Sequence, residues 1–242
     1  MAVKINVSGK SIGEVKDKGL VIAFFEDKLS LDNEVKKLDK IIGNVISSSV
    51  KNKDFKAEEG EIKTIYVNNT NLKHVVLVGL GKQEGFKASK LMNSLGNVSR
   101  HLRAMGVDSF SVYLDSFKNK DFSFDNYLEK SIEALFLSLY QFTEYKTKDL
   151  DKIKKVDRIN IIVDKKDESK AGKILNNALV KAEAVCKTRE LLNTPPNIAV
   201  PEYVASYAKE LAKKSGLKCT VLDEKQLEKM GMECYIAVGQ AS

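Results

Sequence analysis

Two stretches of this chain space their apolar residues 4, 3, 4 and 3 apart, and each lies between short runs rich in β-branched and aromatic residues. Leu31, Val35, Leu38, Ile42 and Val45 form the first series; Leu128, Ile132, Leu135, Leu139 and Phe142 form the second. That spacing puts five side chains on one side of a helix. The first series predicts a single helix behind the turn residues Asp27 and Ser30, with Gly60 closing the polar stretch after it; the second predicts a helix entered from Ser123 or Asp125. Ala88 to Met105 reads as a further amphipathic helix with Gly106 at its stop. Between these helices, Val3 to Val7, Leu20 to Phe25, Ile62 to Val67, Val75 to Leu80, Ser109 to Leu114 and Ile159 to Val163 have strand length and composition. The Val75 to Leu80 run is apolar throughout, as in a strand buried on both faces. Alternating strands and helices imply an α/β fold, a parallel or mixed sheet with helices on both faces.

The rest of the chain is organised by its prolines. Glu168 to Leu192 is Ala-rich and predicts one long helix, with Ala171, Leu175, Ala178, Ala182 and Val185 along its inner stripe. Pro195 and Pro196 end it, since neither can continue a helix and Thr194 is driven towards extended geometry. All three prolines fall between Pro195 and Pro201, which marks a domain boundary. Beyond it, Pro201 opens a helix with Glu202 in its first turn and Gly216 at its end. Cys219 to Leu222 then reads as a strand, Lys225 to Met230 as a short helix and Cys234 to Val238 as another strand. The expected plan is residues 1–166 as one α/β domain, 167–193 as a connector helix and 194–242 as the unfinished start of a second α/β domain.

Composition narrows the function. The apolar runs are too short for a membrane span, and the N-terminus lacks the cationic and apolar pattern of a secretion signal. Cys186, Cys219 and Cys234 are an odd number without CxxC spacing, so they read as buried or half-buried thiols in a reducing compartment rather than a disulfide frame. The formal net charge is +7, which raises nucleic acid as a partner. Of the 40 basic residues only Arg100, Arg103, Arg158 and Arg189 are arginines, and lysines interleaved with acids give a diffuse field rather than a reading surface.

Three stretches carry a resemblance: Arg189-Glu-Leu-Leu-Asn-Thr-Pro-Pro-Asn197, Pro201-Glu-Tyr-Val-Ala205 and Gly231-Met-Glu-Cys-Tyr-Ile-Ala-Val-Gly-Gln-Ala-Ser242. They resemble the leucine aminopeptidase (cytosol aminopeptidase) family of metallopeptidases. In that family a macro-domain-like N-terminal domain is joined by a long helix to a catalytic domain, and the order of elements here follows the same plan. Val200 replaces the Ser or Thr usual before Pro201, which removes a helix cap worth about 1 kcal/mol, and Ala241 stands where the family commonly has Gly.

The resemblance implies a cytoplasmic enzyme that removes N-terminal residues from peptides with two divalent metal ions, Mn or Zn, and that forms homohexamers. The family's ligand stretches, Gly-Lys-Gly leading to Asp-Ser-Gly-Gly and Asn-Thr-Asp-Ala-Glu-Gly-Arg, do not occur in these residues. No catalytic, metal-binding or cofactor-binding residue is therefore assigned, those groups being expected after Ser242, and this chain is expected to act in scaffolding and assembly.

The residues present offer three weaker candidates. His74 and His101, the two histidines, lack carboxylates at ligand spacing and read as a strand-edge and a helix-surface residue. Asp115, Asn119, Asp121 and Asp125 suggest a calcium loop, but the central Gly and terminal Glu are missing, so a polar connector is expected. Val78-Gly79-Leu80-Gly81 leads from a strand towards a helix, where amides can hold phosphate. This gives the alternative of an ADP-ribose or nucleotide module with Gly79 and Gly81 at the phosphates; without a third Gly, a tight turn is the preferred reading.

Overall fold

The structure is a computed structural model that describes residues 3–68 and 71–240. Ala241, one of the two departures from the family pattern, and Ser242 lie outside the described residues. The chain divides into two compact units, 1–187 and 188–242.

The first unit is built on a six-stranded mixed sheet. Its strands are β1 (Lys4–Ser8), β2 (Gly19–Phe24), β3 (Ile62–Tyr66), β4 (His74–Gly79), β5 (Ser109–Tyr113) and β6 (Arg158–Ile162), in the spatial order β1-β6-β5-β2-β4-β3. All neighbours are parallel except β3, which runs antiparallel to β4 at the edge. All six are the strands expected from the sequence.

Helices cover one face and half of the other. The cluster with Val21, Val76, Val112 and Ile161 also holds Leu91, Leu95, Val98 and Leu102 of α3 (Ala88–Met105) and Leu128, Ile132 and Leu135 of α4 (Phe124–Ser138). Ala171, Ala178 and Ala182, from the first part of α5 (Glu168–Asn193), belong to the same cluster. On the other face, Leu20, Ile22, Val75 and Leu77 pack with Val35 and Leu38 of α1 (Asn33–Ile41) and Ile46 of α2 (Val45–Lys51). Gly106 ends α3 with φ 81°, the left-handed geometry that glycine adopts without steric cost.

Two expected helices are revised. The helix through Leu31 to Val45 is two helices, broken at Gly43 (φ 88°) and Asn44 (φ 58°), residue types that accept left-handed backbone. The buried Asp39 carboxylate then takes the amides of Ile46 (2.8 Å) and Ser47 (3.2 Å), capping α2. The helix of the second series stops at Ser138, short of Phe142. Arg103 of α3 donates to the Leu139 carbonyl (3.2 Å), supplying a partner where the helix no longer can.

Among its described residues the second unit has three helices besides the end of α5: α6 (Pro201–Ser215), α7 (Glu224–Lys229) and α8 (Glu233–Gln240). Pro201 opens α6 with no side-chain cap from Val200, and Gly216 closes it at φ 66°. Asp223 and Gln226 form a reciprocal capping box on α7. Neither expected strand is present. Residues 218–222 make no ladder, and 233–240 are helical. A strand leaves its amides unpaired without a neighbour, whereas a helix pairs them within the segment. The thiol expectation is corrected for the same region: Cys186 is half-buried, but Cys219 and Cys234 are exposed, as are Val204, Leu211, Leu217, Val221, Leu222 and Val238.

Candidate functional site

The end of the sheet where an α/β protein ordinarily binds its ligand is closed in the first unit. After β2 and β4 the chain folds onto itself: Glu26 N–H donates to the Gly81 carbonyl (2.9 Å), Gln83 N–H to the Asp27 carboxylate (3.1 Å) and Asn119 Nδ2 to the Gln83 carbonyl (2.9 Å). Phe86 stacks edge-on with Phe25 and Phe122, at centroid distances of 5.0 and 6.2 Å. The Gly79 amide donates to Glu61 O, Leu80 to Phe24 O and Gly81 to Ala57 O. Every donor of a phosphate cradle at residues 79–81 is therefore spent on backbone. Gly79 is glycine because the Ala57–Glu58 backbone crosses it, and a Cβ would lie 2.1 Å from the Glu58 carbonyl oxygen. The segment is a tight turn. The nucleotide alternative finds no support here.

The remaining candidates have structural partners. His101 Nε2 shares a hydrogen bond with Thr64 Oγ1 (2.8 Å) and is half-buried rather than a surface residue. His74 opens β4 beside Tyr66, ring to ring at 5.2 Å, and burial lowers its pKa below the ordinary imidazole value. Asp115 pairs with Lys118, and Asn119 is buried under the 81–86 turn and takes the Asp121 amide. Asp125 lies in the first turn of α4, which Ser123 caps. Among the described residues no group of three or more His, Cys, Asp and Glu side chains is placed to hold a metal ion.

A polar constellation that the sequence reading did not single out lies on the sheet itself. One row of residues crosses all six strands: Asn6, Asn160, Ser111, Leu20, Val75 and Ile65. Its apolar half lies under α1 and α2. Its polar half meets Asp17, which is 2% exposed and accepts hydrogen bonds on both oxygens. Oδ1 takes Nε (3.1 Å) and Nη2 (2.8 Å) of Arg158; Oδ2 takes Ser111 Oγ (2.7 Å) and Asn160 Nδ2 (2.5 Å). Asn6 Nδ2 donates in turn to Asn160 Oδ1 (3.1 Å). A buried carboxylate is tolerable only when hydrogen-bonded and paired, and this one has four donors. Asp17 thereby ties the 9–18 loop to β6 and β5, and Asn6 extends the network to β1. The signal in the sequence was Asn6 and Asn160, each an amide between two apolar neighbours in its strand.

Comparison with solved structures gives the fold first. The chain superimposes on a mutant tomato leucine aminopeptidase with a TM-score of 0.75 at 18% identity, over 95% of this chain and 46% of that one. It also superimposes on the bottromycin maturation enzyme BotP, with a TM-score of 0.67 at 18% identity, over 89% of this chain and 41% of that one. The fold is that of the N-terminal region of these enzymes.

Sequence models give the family. The N-terminal domain of the cytosol aminopeptidase family matches residues 21–149, and the catalytic domain of that family matches residues 186–242. The chain belongs to the cytosol aminopeptidase family. A probable cytosol aminopeptidase of Sulfurihydrogenibium sp. is 30% identical over 99% of this chain and 47% of its own length. One of Clostridium perfringens is 28% identical over 92% of this chain and 44% of its own. The chain thus spans about half the length of the curated relatives it matches.

Proposed function

We propose that these residues are the N-terminal half of a metal-dependent, leucine-type aminopeptidase of the cytoplasm that hydrolyses N-terminal residues from peptides. Residues 1–166 serve as its macro-like domain, 167–193 as the connector helix and 194–242 as the opening of its catalytic domain. The match of the catalytic-domain model to residues 186–242 carries this reading. It is supported by the apolar side chains that the same residues leave in solvent, an arrangement suited to a layer that further catalytic-domain structure covers. No helix among the described residues is long and apolar enough to cross a membrane.

The metal ligands and the catalytic groups are assigned to the part of the relatives that this chain does not match, because the family's ligand stretches do not occur in these residues. BotP has been solved in complex with Mn, and we take manganese or zinc as the metals of the parent enzyme. The 242 residues then act in scaffolding and in assembly of a homohexamer. Incubating the purified 242-residue chain with manganese and leucine p-nitroanilide is expected to give no hydrolysis. Turnover that copurifies with the folded chain would refute the placement of the catalytic groups elsewhere.

A further inference from the structure

The polar half of the sheet leaves a parallel face open. Strands β1, β6 and β5 are parallel, and parallel strands ordinarily have both faces covered. The neighbouring half of the same face is covered by α1 and α2. Over the open half lies a groove of about 420 Å³, floored by Asn6, Asn160 and Ser111 and walled by the 10–17 loop. A second hollow, on the side of Ser109 and Asp157, shares Lys16 and Arg158 with it. We propose that this groove binds a small molecule through an oxyanion, a carboxylate or a phosphate, seated between Arg158 and Lys16.

The guanidinium of Arg158 is held by Nε and Nη2 against Asp17, while its side chain remains 48% exposed. Nη1 and the second Nη2 proton are left to donate, in a plane already fixed, so little freedom is lost when an oxyanion docks. Asp17 is already satisfied by four donor atoms, so an anion that takes the remaining Arg158 protons need not displace it. Lys16 has no ion-pair partner among the described residues, and Lys10 is at the rim of the same groove. Glu14 on the wall leaves three cations against two carboxylates. That modest excess suits a small anion and disfavours a phosphodiester polymer, whose binding needs many cations.

The inference is independent of the aminopeptidase reading, because every group it uses is in the first unit. Amide NMR signals of the 242-residue chain, titrated with sodium phosphate and separately with N-acetylleucine against sodium chloride of matched ionic strength, test it. Saturable shifts confined to residues 9–17 and 158–162 are expected in at least one arm, and the stronger arm identifies phosphate or carboxylate. Lys16→Gln, which leaves the Asp17 contacts intact, should weaken that binding about fivefold. Shifts no larger than those of the chloride control in both arms, or binding that Lys16→Gln changes by less than about twofold, would overturn the proposal.

Discussion

The two units of this chain use the same kind of amphipathic segment to opposite ends. In the first, α4 and β5 are apolar and buried: Leu128, Ile132, Leu135, Phe110 and Val112 are at 0% exposure. In the second, α6 also has an apolar stripe, yet Leu211 is 51% exposed, and Ala212 is the one apolar residue buried among described residues 188–240. An amphipathic pattern therefore states what a segment could bury, and the sheet beside it decides whether it does. Burial is worth about 25 cal/mol per Å² of apolar surface, so the two units should differ sharply in what a substitution costs.

The largest contrast should come from proline. Val112→Pro, in a strand flanked on both sides, removes a ladder hydrogen bond and should cost more than about 3 kcal/mol, read as loss of cooperative unfolding by circular dichroism. Thr220→Pro, in a segment with no ladder, should change stability by less than about 0.5 kcal/mol. A similar contrast is expected for cavities: Leu128→Ala should lower the unfolding free energy by about 3 kcal/mol, and Leu211→Ala by less than about 0.5 kcal/mol. Equal costs at the two leucines in urea titrations would erase the distinction between the units.

A smaller effect tests the polar row. Asp17→Ala strands the donors of Arg158, Ser111 and Asn160 but leaves Arg158 access to water, so a loss of about 2 kcal/mol is expected. A stability unchanged by that substitution would mean the 9–18 loop is held by other contacts. The smallest effect is at His74. Burial lowers its pKa in the folded state, so the folded chain takes up its proton less readily than the unfolded chain. The stability associated with neutral His74 is complete above the unfolded value of about 6.5 and is lost as pH falls through the lower folded value. Melting temperatures of the wild type should therefore fall more steeply below about pH 6.5 than those of His74→Gln; identical slopes would remove His74 from the pH response.

The strands were legible in the sequence because each run carries its own signal, and their alternation with helices gives a parallel or mixed sheet, though not the order β1-β6-β5-β2-β4-β3. Gly106 and Gly216 announced two helix ends, for left-handed backbone has few other occupants. The break at Gly43 and Asn44 was hidden, since Ile42 and Val45 keep the helical spacing across it. Cys219 to Leu222 and Cys234 to Val238 look like strands by composition, but a strand is a relation to a neighbour, and neither segment has one. The polar row was only half visible. Asn6 and Asn160 stand out among apolar residues, whereas Asp17, in a lysine-rich loop, joins them only once the loop crosses the sheet.

Amide hydrogen exchange of the whole chain tests the contrast between the units most directly. Helices as short as α7 and α8 are marginal without packing, and protection follows buried contacts. Amides of β2, β4 and β5 should exchange only with global unfolding, while those of 201–240 exchange through local opening several orders of magnitude faster. Protection across 201–240 equal to that of the sheet would contradict the view that these helices are held by few buried contacts.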